Sequence, residues 1–384
     1  MRVLIVSDTH GRMYGGVPEE ARHLLNGLIA RGHEVALCGD VPIAGVEGAA
    51  HYPMTLPTTA ALRDEVGRAL SSHRPDIIHV MAMSSRGLMQ LRGQLSARAW
   101  LMTCHSLPPY ERKLPFLHGN DAAHYALRAA RFLPHALAWR AIFLCGLIPR
   151  VVVHSPRMAQ LVVGYGQPVT AIDTILLGVD SPQSEVTTPD EPSPMAPRLT
   201  TIAGIAHTKG YHDALQAIGM LRGRFPGLRY QIIGEIRDGS YMAFLRQVIE
   251  RRQLWDAVRI TPDLSVVDKQ EALACSHLYL QPSHEEGFCL AYLEASRQVR
   301  RLVGTDTGAI ALVSENDPGA RVAPVRDPAG LAAAMEELLT VALPADLMQK
   351  RAERQRARLD LRCYLDAHES LYGRVRRDFK AART

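Results

Sequence analysis

Residues 281–296 read QPSHEEGFCLAYLEAS. The apolar segment LYLQ (278–281) runs into a polar loop holding Glu285, Glu286 and Gly287, and the residues after it carry helical apolar spacing with Glu294 among them. A glycine at such a junction lets the backbone approach a ligand closely. The first turn of a new helix presents unpaired N–H groups to anions or sugar oxygens. Carboxylates accept several hydrogen bonds, so two at one strand-to-helix junction suit a polyhydroxylated ligand. The same residues also fit a plain strand–loop–helix unit whose glutamates favour the helix N-terminus.

Outward from this stretch, strand-like and helix-like segments alternate. In the second half RLTTIAG (198–204), RYQIIG (229–234), VRIT (258–261), LYLQ (278–281), RLVGT (301–305) and ARVAP (320–324) read as strands. Helical spacing falls at about 211–224, 240–252, 268–275, from 290, and 328–339. In the first half RVLIVS (2–7) is a continuous apolar run, as in a strand buried on both faces. A loop with Gly11, Gly15 and Gly16 follows. Val17, Ala21, Leu24, Leu25, Leu28 and Ile29 then recur at helical spacing, with Pro18 in the first turn and Gly32 as the stop. HEVALC, DIIHVMA, AWLMTCH, RVVVHS and AIDTILLGVD continue the strands, and 121–148 reads as helix with a kink or break at Pro134. Alternation of this kind predicts parallel sheets.

SPQSEVTTPDEPSPMAP (181–197) holds five prolines among Ser, Thr and acidic residues and reads as an extended linker. The expected organisation is therefore a first α/β domain over 1–180, a linker over 181–197, a second over 198–345, and a helical tail over 346–384 that packs back on the first domain. In doubly wound sheets ligands bind outside the carboxyl ends of the strands. With two such domains, the space between them is the expected site.

Composition sets limits. The chain has 384 residues, 47% hydrophobic and 22% charged, enough for two buried cores. No apolar run reaches the ~18–20 residues of a membrane span. MRVLIVSD enters a strand at once, so a cytoplasmic location without a signal peptide is expected. The six cysteines include no C-x-x-C pair, which fits a reducing compartment. The formal net charge is +5. Basic residues concentrate in 351–384 and in 108–150, where Arg128, Arg131 and Arg140 stand among Leu, Phe, Trp and Ile. These are either solvated helix faces or surfaces that attract anionic lipid or substrate, so peripheral membrane contact stays open. No P-loop and no nucleic-acid motif occurs.

VSDTHG (6–11), with Asp8 and His10, and Asp40 further on look like the first ligands of a two-metal phosphoesterase. Two such cations need later Asn and His ligands as well. HGND (118–121) lacks the inner His of such a motif, and no Gly-His-x-His occurs. His79, at the end of a buried strand, reads as a core histidine.

Glu286 and Glu294, separated by seven residues within PSHEEGFCLAYLEA, resemble the signature of family-4 GT-B glycosyltransferases, roughly Pro-Ser-x-x-Glu-Gly-Phe-Gly-Leu-x-x-x-Glu-Ala. Cys289 replaces the second glycine. GGV (15–17), RGHEV (31–35), PDIIHV (75–80), TCHS (103–106), LLGVD (176–180), HTKG (207–210) and RDPAGLAAAMEELL (326–339) resemble other family segments in the same order. The resemblance implies a GT-B fold of two Rossmann-like domains facing across a cleft. It implies retaining transfer of a sugar from a nucleotide-diphosphate sugar to a glycan, lipid-linked or small-molecule acceptor, in cell-surface polysaccharide or lipopolysaccharide synthesis, in the cytoplasm or at the inner face of the membrane. By the same resemblance Glu294 binds the ribose and Glu286 the donor sugar, beside backbone N–H groups of Gly287, Phe288, Cys289 and Leu290. Lys209 holds the diphosphate and His105 reaches the donor sugar. Gly15, Gly16, Gly204 and Gly234 line the donor site. No metal or other cofactor is implied.

The chain also departs from the family pattern. AGIAHTKG (203–210) lacks the Gly-Arg that usually precedes Lys-Gly. Val299 and Arg301 stand at a usual Gly and Pro, and Gly308-Ala309 at a usual Gly-Gly. These departures keep other readings open: an epimerase or phosphorylase on the same fold, or a catalytically weak binding protein.

Overall fold

The computed structural model describes residues 1–7, 16–55, 61–107, 121–178, 196–262 and 264–383, with backbone only for 121–132 and Val266. Asp8, His10, Gly15, HGND and the Pro-rich 181–195 lie outside the described residues. The chain divides into two compact units, Met1–Asp180 with Leu359–Thr384, and Ser181–Arg358.

The first unit runs β1 (Arg2–Ser7), α1 (Gly16–Ala30), β2 (Glu34–Gly39), β3 (Ala50–Pro53), α2 (Leu62–His73), β4 (Ile77–Ala82), α3 (Ser85–Ser96), β5 (Trp100–Thr103), α4 (Asp121–Leu144), β6 (Val151–Val153), α5 (Pro156–Gly164) and β7 (Ile172–Thr174). Its sheet is parallel throughout, in the order β3-β2-β1-β4-β5-β6-β7. Side chains alternate across it. Leu4, Val6, Ile78, Val80 and Met102 enter one core with Val66, Leu91, Phe143 and Val162 from α2 to α5. Helix starts follow local chemistry: the Ser155 hydroxyl accepts from Met158 N at 3.2 Å and Pro156 opens α5. Gly32, at φ 78°, ends α1. α4 passes through Pro134 without ending.

The second unit runs β8 (Arg198–Ile202), a 3-10 turn (His207–Lys209), α6 (Tyr211–Leu221), β9 (Arg229–Ile233), α7 (Gly239–Arg251), β10 (Val258–Thr261), α8 (Val266–Ala274), β11 (Leu278–Gln281), α9 (Leu290–Ser296), β12 (Arg301–Thr305), α10 (Ile310–Val313), β13 (Ala320–Ala323), α11 (Pro328–Thr340) and α12 (Leu347–Leu359). Its parallel sheet has the order β10-β9-β8-β11-β12-β13. The winding therefore reverses between β8 and β11. Leu215 and Ile218 of α6, Leu245 of α7 and Met335 of α11 pack on Leu199, Ile232, Leu280 and Val303 of the sheet.

The helical tail is divided between the units. α12 belongs to the second. There Arg351 is enclosed; its Nε lies 2.5 Å from Asp317 Oδ2, and it donates to the carbonyls of Ser296, Val299 and Arg300. It thus supplies donors to the carbonyl end of α9. α13 (Leu361–Ala381) belongs to the first unit and covers the sheet face opposite α2 to α5. Asp360 starts it by accepting from Arg362 N at 2.8 Å. Arg31 pairs with Asp366 and Glu369 at 2.6 Å, Arg374 with Asp173 at 2.5 Å and Arg376 with Asp76 at 3.2 Å. Of the basic residues in 351–384, Arg351, Arg354, Arg358, Arg374 and Arg376 are thus matched by carboxylates elsewhere in the chain, whereas Arg31 engages two of the tail's own carboxylates. No helix among the described residues is long and apolar enough to cross a membrane.

Candidate active site

In the second unit, the loops after β8 and β11 leave adjacent parallel strands on the same side of the sheet, at the point where the winding reverses. The β8 loop carries Lys209 and the β11 loop carries Glu286. Lys209 Nζ lies 2.7 Å from Glu286 Oε1 and 2.8 Å from Oε2. Glu286 Oε1 also accepts from Ser283 Oγ at 2.6 Å and from Gln281 Nε2 at 3.2 Å. Gln281 is itself set by the Tyr279 hydroxyl, 2.8 Å from its Oε1. The carboxylate is thus held by three donors from two loops, with the pair only partly buried.

The two loops are tied by more than this pair. His284 N and Glu285 N both donate to Thr208 O, at 2.8 and 3.3 Å. His284 Nε2 lies 2.7 Å from Asp213 Oδ2, in the first turn of α6. Gly210, at φ 63°, lets the chain turn into α6 where a Cβ would collide with Pro282 O. His212 stacks on His207 at 5.0 Å between ring centroids, and its Nδ1 lies 2.8 Å from the Tyr241 hydroxyl. Burial, aided by His284 and Arg326, lowers the His212 pKa to about 4 despite Asp213.

α9 starts at Cys289, whose φ of 84° and ψ of 67° are left-handed. Glycine adopts this conformation without cost and other residues do not. Cys289 stands where the family signature has its second glycine, so the backbone keeps the glycine geometry although the side chain has changed. Burial and the neighbouring Glu286 push its thiol pKa well up. Phe288 is buried, Gly287 and Leu290 are half-buried, and Glu294 is exposed on α9. Burial raises the Tyr279 hydroxyl pKa.

Gly204 and Gly234 stand at the ends of β8 and β9. Any Cβ on Gly234 would collide with Ala203 O. A Cβ on Gly204 would lie 2.6 Å from Arg237 Nε, so the Arg237 side chain lies across Gly204. Arg237 comes from the loop after β9, and its N–H donates to Ile205 O at 3.1 Å. The Tyr211 hydroxyl, 2.6 Å from Ala203 O, feels opposing charges from Glu286 and Arg237. Sequence reading did not single out Arg237. The available signal was an Arg three residues beyond Gly234, just ahead of the α7 start.

His105 lies in the first unit, after β5, with Nδ1 3.3 Å from Glu20 Oε2. Gly16 opens α1 there. His79 is fully enclosed, with Nδ1 2.8 Å from the Tyr372 hydroxyl and Nε2 2.6 Å from Thr103 Oγ1.

Two parallel α/β units, the second with its polar loops at the reversal of strand order, define the GT-B class. Solved structures of that class superpose along the chain. Sucrose-phosphate synthase from Thermosynechococcus elongatus matches with a TM-score of 0.76 at 15% identity, over 100% of both chains. Anabaena Alr3699/HepE, solved in complex with UDP and glucose, matches with a TM-score of 0.70 at 14% identity, over 97% of this chain and 100% of that one. In sequence, the glycogen synthase of Mycobacterium tuberculosis (strain ATCC 25618 / H37Rv) is 26% identical over 390 residues, 94% of this chain and 90% of that protein. The model of Glycosyltransferase Family 4 matches residues 14–182 and that of Glycosyl transferases group 1 matches 189–357. The chain belongs to the family-4 GT-B glycosyltransferases, and it is a glycosyltransferase.

Proposed function

We propose that the protein is a retaining glycosyltransferase whose donor is a nucleotide-diphosphate sugar bound at the β8 and β11 loops. The observation that carries the reading is the Lys209–Glu286 pair at the reversal of strand order, with Arg237 lying across Gly204 after β8. In the transfer the bond from the anomeric carbon to the diphosphate oxygen breaks and its electron pair leaves with the phosphate. A bond from the acceptor oxygen forms on the same face of the sugar, and the acceptor's hydroxyl proton passes to the departing diphosphate oxygen. Charge therefore grows on the diphosphate, where fixed cations lower the barrier most. Lys209 and Arg237 meet that need without a metal. Glu286 holds sugar hydroxyls and Glu294 the ribose.

A panel of UDP-, GDP-, ADP- and dTDP-sugars in a thermal-shift assay without metal tests the reading. One donor class should raise the melting temperature, and Lys209→Ala should lose that shift. Nucleotide diphosphate should be released only with an acceptor, which separates transfer from epimerase chemistry. If no donor stabilises the protein, the reading fails.

A lipid-linked acceptor, in cell-surface glycan synthesis at a membrane surface, is favoured by one observation. Leu133, Leu137 and Leu144 are exposed on one stripe of α4. Flotation with anionic liposomes at low salt checks it, and no binding removes it.

A further inference from the structure

Three ligand-type side chains of the first unit converge: Glu20 on α1, His105 after β5 and His154 after β6. His154 Nε2 lies 3.0 Å from Glu20 Oε1, and His105 Nδ1 lies 3.3 Å from Glu20 Oε2. Ligand atoms around a tetrahedral Zn²⁺ sit roughly 3.3 Å apart, given metal–ligand bonds of about 2.0–2.2 Å.

Hydrogen bonding elsewhere leaves the right atoms available. His154 Nδ1 lies 2.8 Å from Ile175 O and donates to it, so Nε2 is the ring nitrogen turned toward Glu20. This is how a metal-binding histidine is oriented. Glu20 and His154 are each 2% exposed, yet Glu20 Oε2 and His154 Nε2 have no aligned hydrogen-bond partner. The Tyr364 hydroxyl donates to Glu20 Oε1 at 2.9 Å and steadies the carboxylate from behind.

The other candidate cluster, His212, Asp213 and His284, differs in that His284 Nε2 already has an aligned bond to Asp213.

We propose that Glu20, His105 and His154 form a binding site for a borderline divalent transition-metal ion, Zn²⁺ being the best match. Two imidazoles and a carboxylate supply three ligands, and partly exposed His105 leaves a fourth position open to solvent or another ligand. The ion ties α1 to the ends of β5 and β6. The site shares His105 with the residues that the family resemblance sets near the donor sugar, but none with the Lys209–Glu286 pair, which lies in the second unit; Zn²⁺ binding is read without donor, so its failure and that of the donor reading are distinguishable.

The test is calorimetric titration of the chelator-stripped full chain with Zn²⁺ alone, and with Co²⁺ for its tetrahedral absorption band. One ion should bind per chain and raise the melting temperature. His105→Ala and Glu20→Gln should each weaken binding more than tenfold, and Tyr364→Phe by about tenfold through the outer hydrogen bond. His212→Ala should leave binding unchanged. Should Glu20→Gln not fold, the partly exposed His105→Ala decides. The proposal is overturned if the wild-type chain binds no Zn²⁺, if His105→Ala binds it as tightly, or if only His212→Ala loses it.

Discussion

Lys209 and Glu286 stand 77 residues apart in the chain and meet with Nζ within 2.8 Å of both carboxylate oxygens. The cation expected to hold the donor's diphosphate is therefore engaged by the carboxylate expected to hold its sugar. Donor binding must exchange this pair for two new ones. Glu286→Gln should leave nucleoside-diphosphate affinity unchanged or tighter, because Lys209 loses its competitor, while transfer falls at least ~100-fold. Lys209→Ala should lose both, with a binding cost of about 1.5–3 kcal/mol for one charge-assisted contact. Calorimetry of nucleoside diphosphates against both variants, beside a transfer assay, checks this. Equal loss of nucleotide affinity in the two variants would contradict it.

Arg237 lying across Gly204 gives a second test. Gly204→Ala puts a methyl group where the guanidinium now sits, so the side chain must move. If Arg237 supplies the positive charge that this chain lacks beside Gly204, then Gly204→Ala and Arg237→Ala should raise KM for the donor by similar factors, about tenfold or more. The double variant should be no worse than either single one. Additive losses would show that the two positions act separately.

The alternation of strands and helices, and hence two parallel sheets, was legible because buried parallel strands carry continuous apolar runs such as VLIV (3–6). The order of the strands was not legible. β8 pairs with β11 although two strands, β9 and β10, intervene in sequence, and only that pairing brings Lys209 to Glu286. Arg237 was hidden for the same reason, since its place over Gly204 exists only once β9 lies beside β8. β3 (Ala50–Pro53) is a short, partly exposed edge strand with no apolar run to mark it. The tail read as one basic helical stretch because α12 and α13 have similar composition. Asp360 was the visible sign of a new helix start, but which unit each helix joins depends on distant partners, Asp317 for Arg351 and Asp173 for Arg374.

His212 makes stability depend on pH. Its ring faces Asp213, His284, Arg326, His207, Tyr241 and Phe244, and its folded pKa of about 4 lies below the ordinary histidine value of 6.5. The unfolded chain then binds the proton more readily, so the contribution is complete above pH 6.5 and is lost as pH falls toward 4. At pH 5 the loss is about 2 kcal/mol. His212→Gln, which keeps a polar group near Tyr241, should remove that part of the slope in urea unfolding between pH 7 and pH 5. An unchanged slope in the variant would show that His212 does not contribute.

Cys289 at φ 84° gives the most direct test of local strain. A side chain in the left-handed region costs roughly 1–2 kcal/mol, and glycine avoids it while losing about 0.5–1 kcal/mol of backbone entropy on folding. Cys289→Gly should therefore stabilise the protein by up to about 1 kcal/mol. Cys289→Ala should give no gain, because its Cβ meets the same restriction and the buried sulfur contacts are lost. Urea unfolding of the three proteins measures the difference. A glycine variant less stable than the alanine variant would mean that packing of the Cys289 side chain outweighs the backbone. Thiol labelling offers a parallel check. Cys145, Cys275 and Cys363 are exposed, whereas the Cys289 thiol is buried with its pKa pushed well up. Iodoacetamide should modify those three well before Cys289.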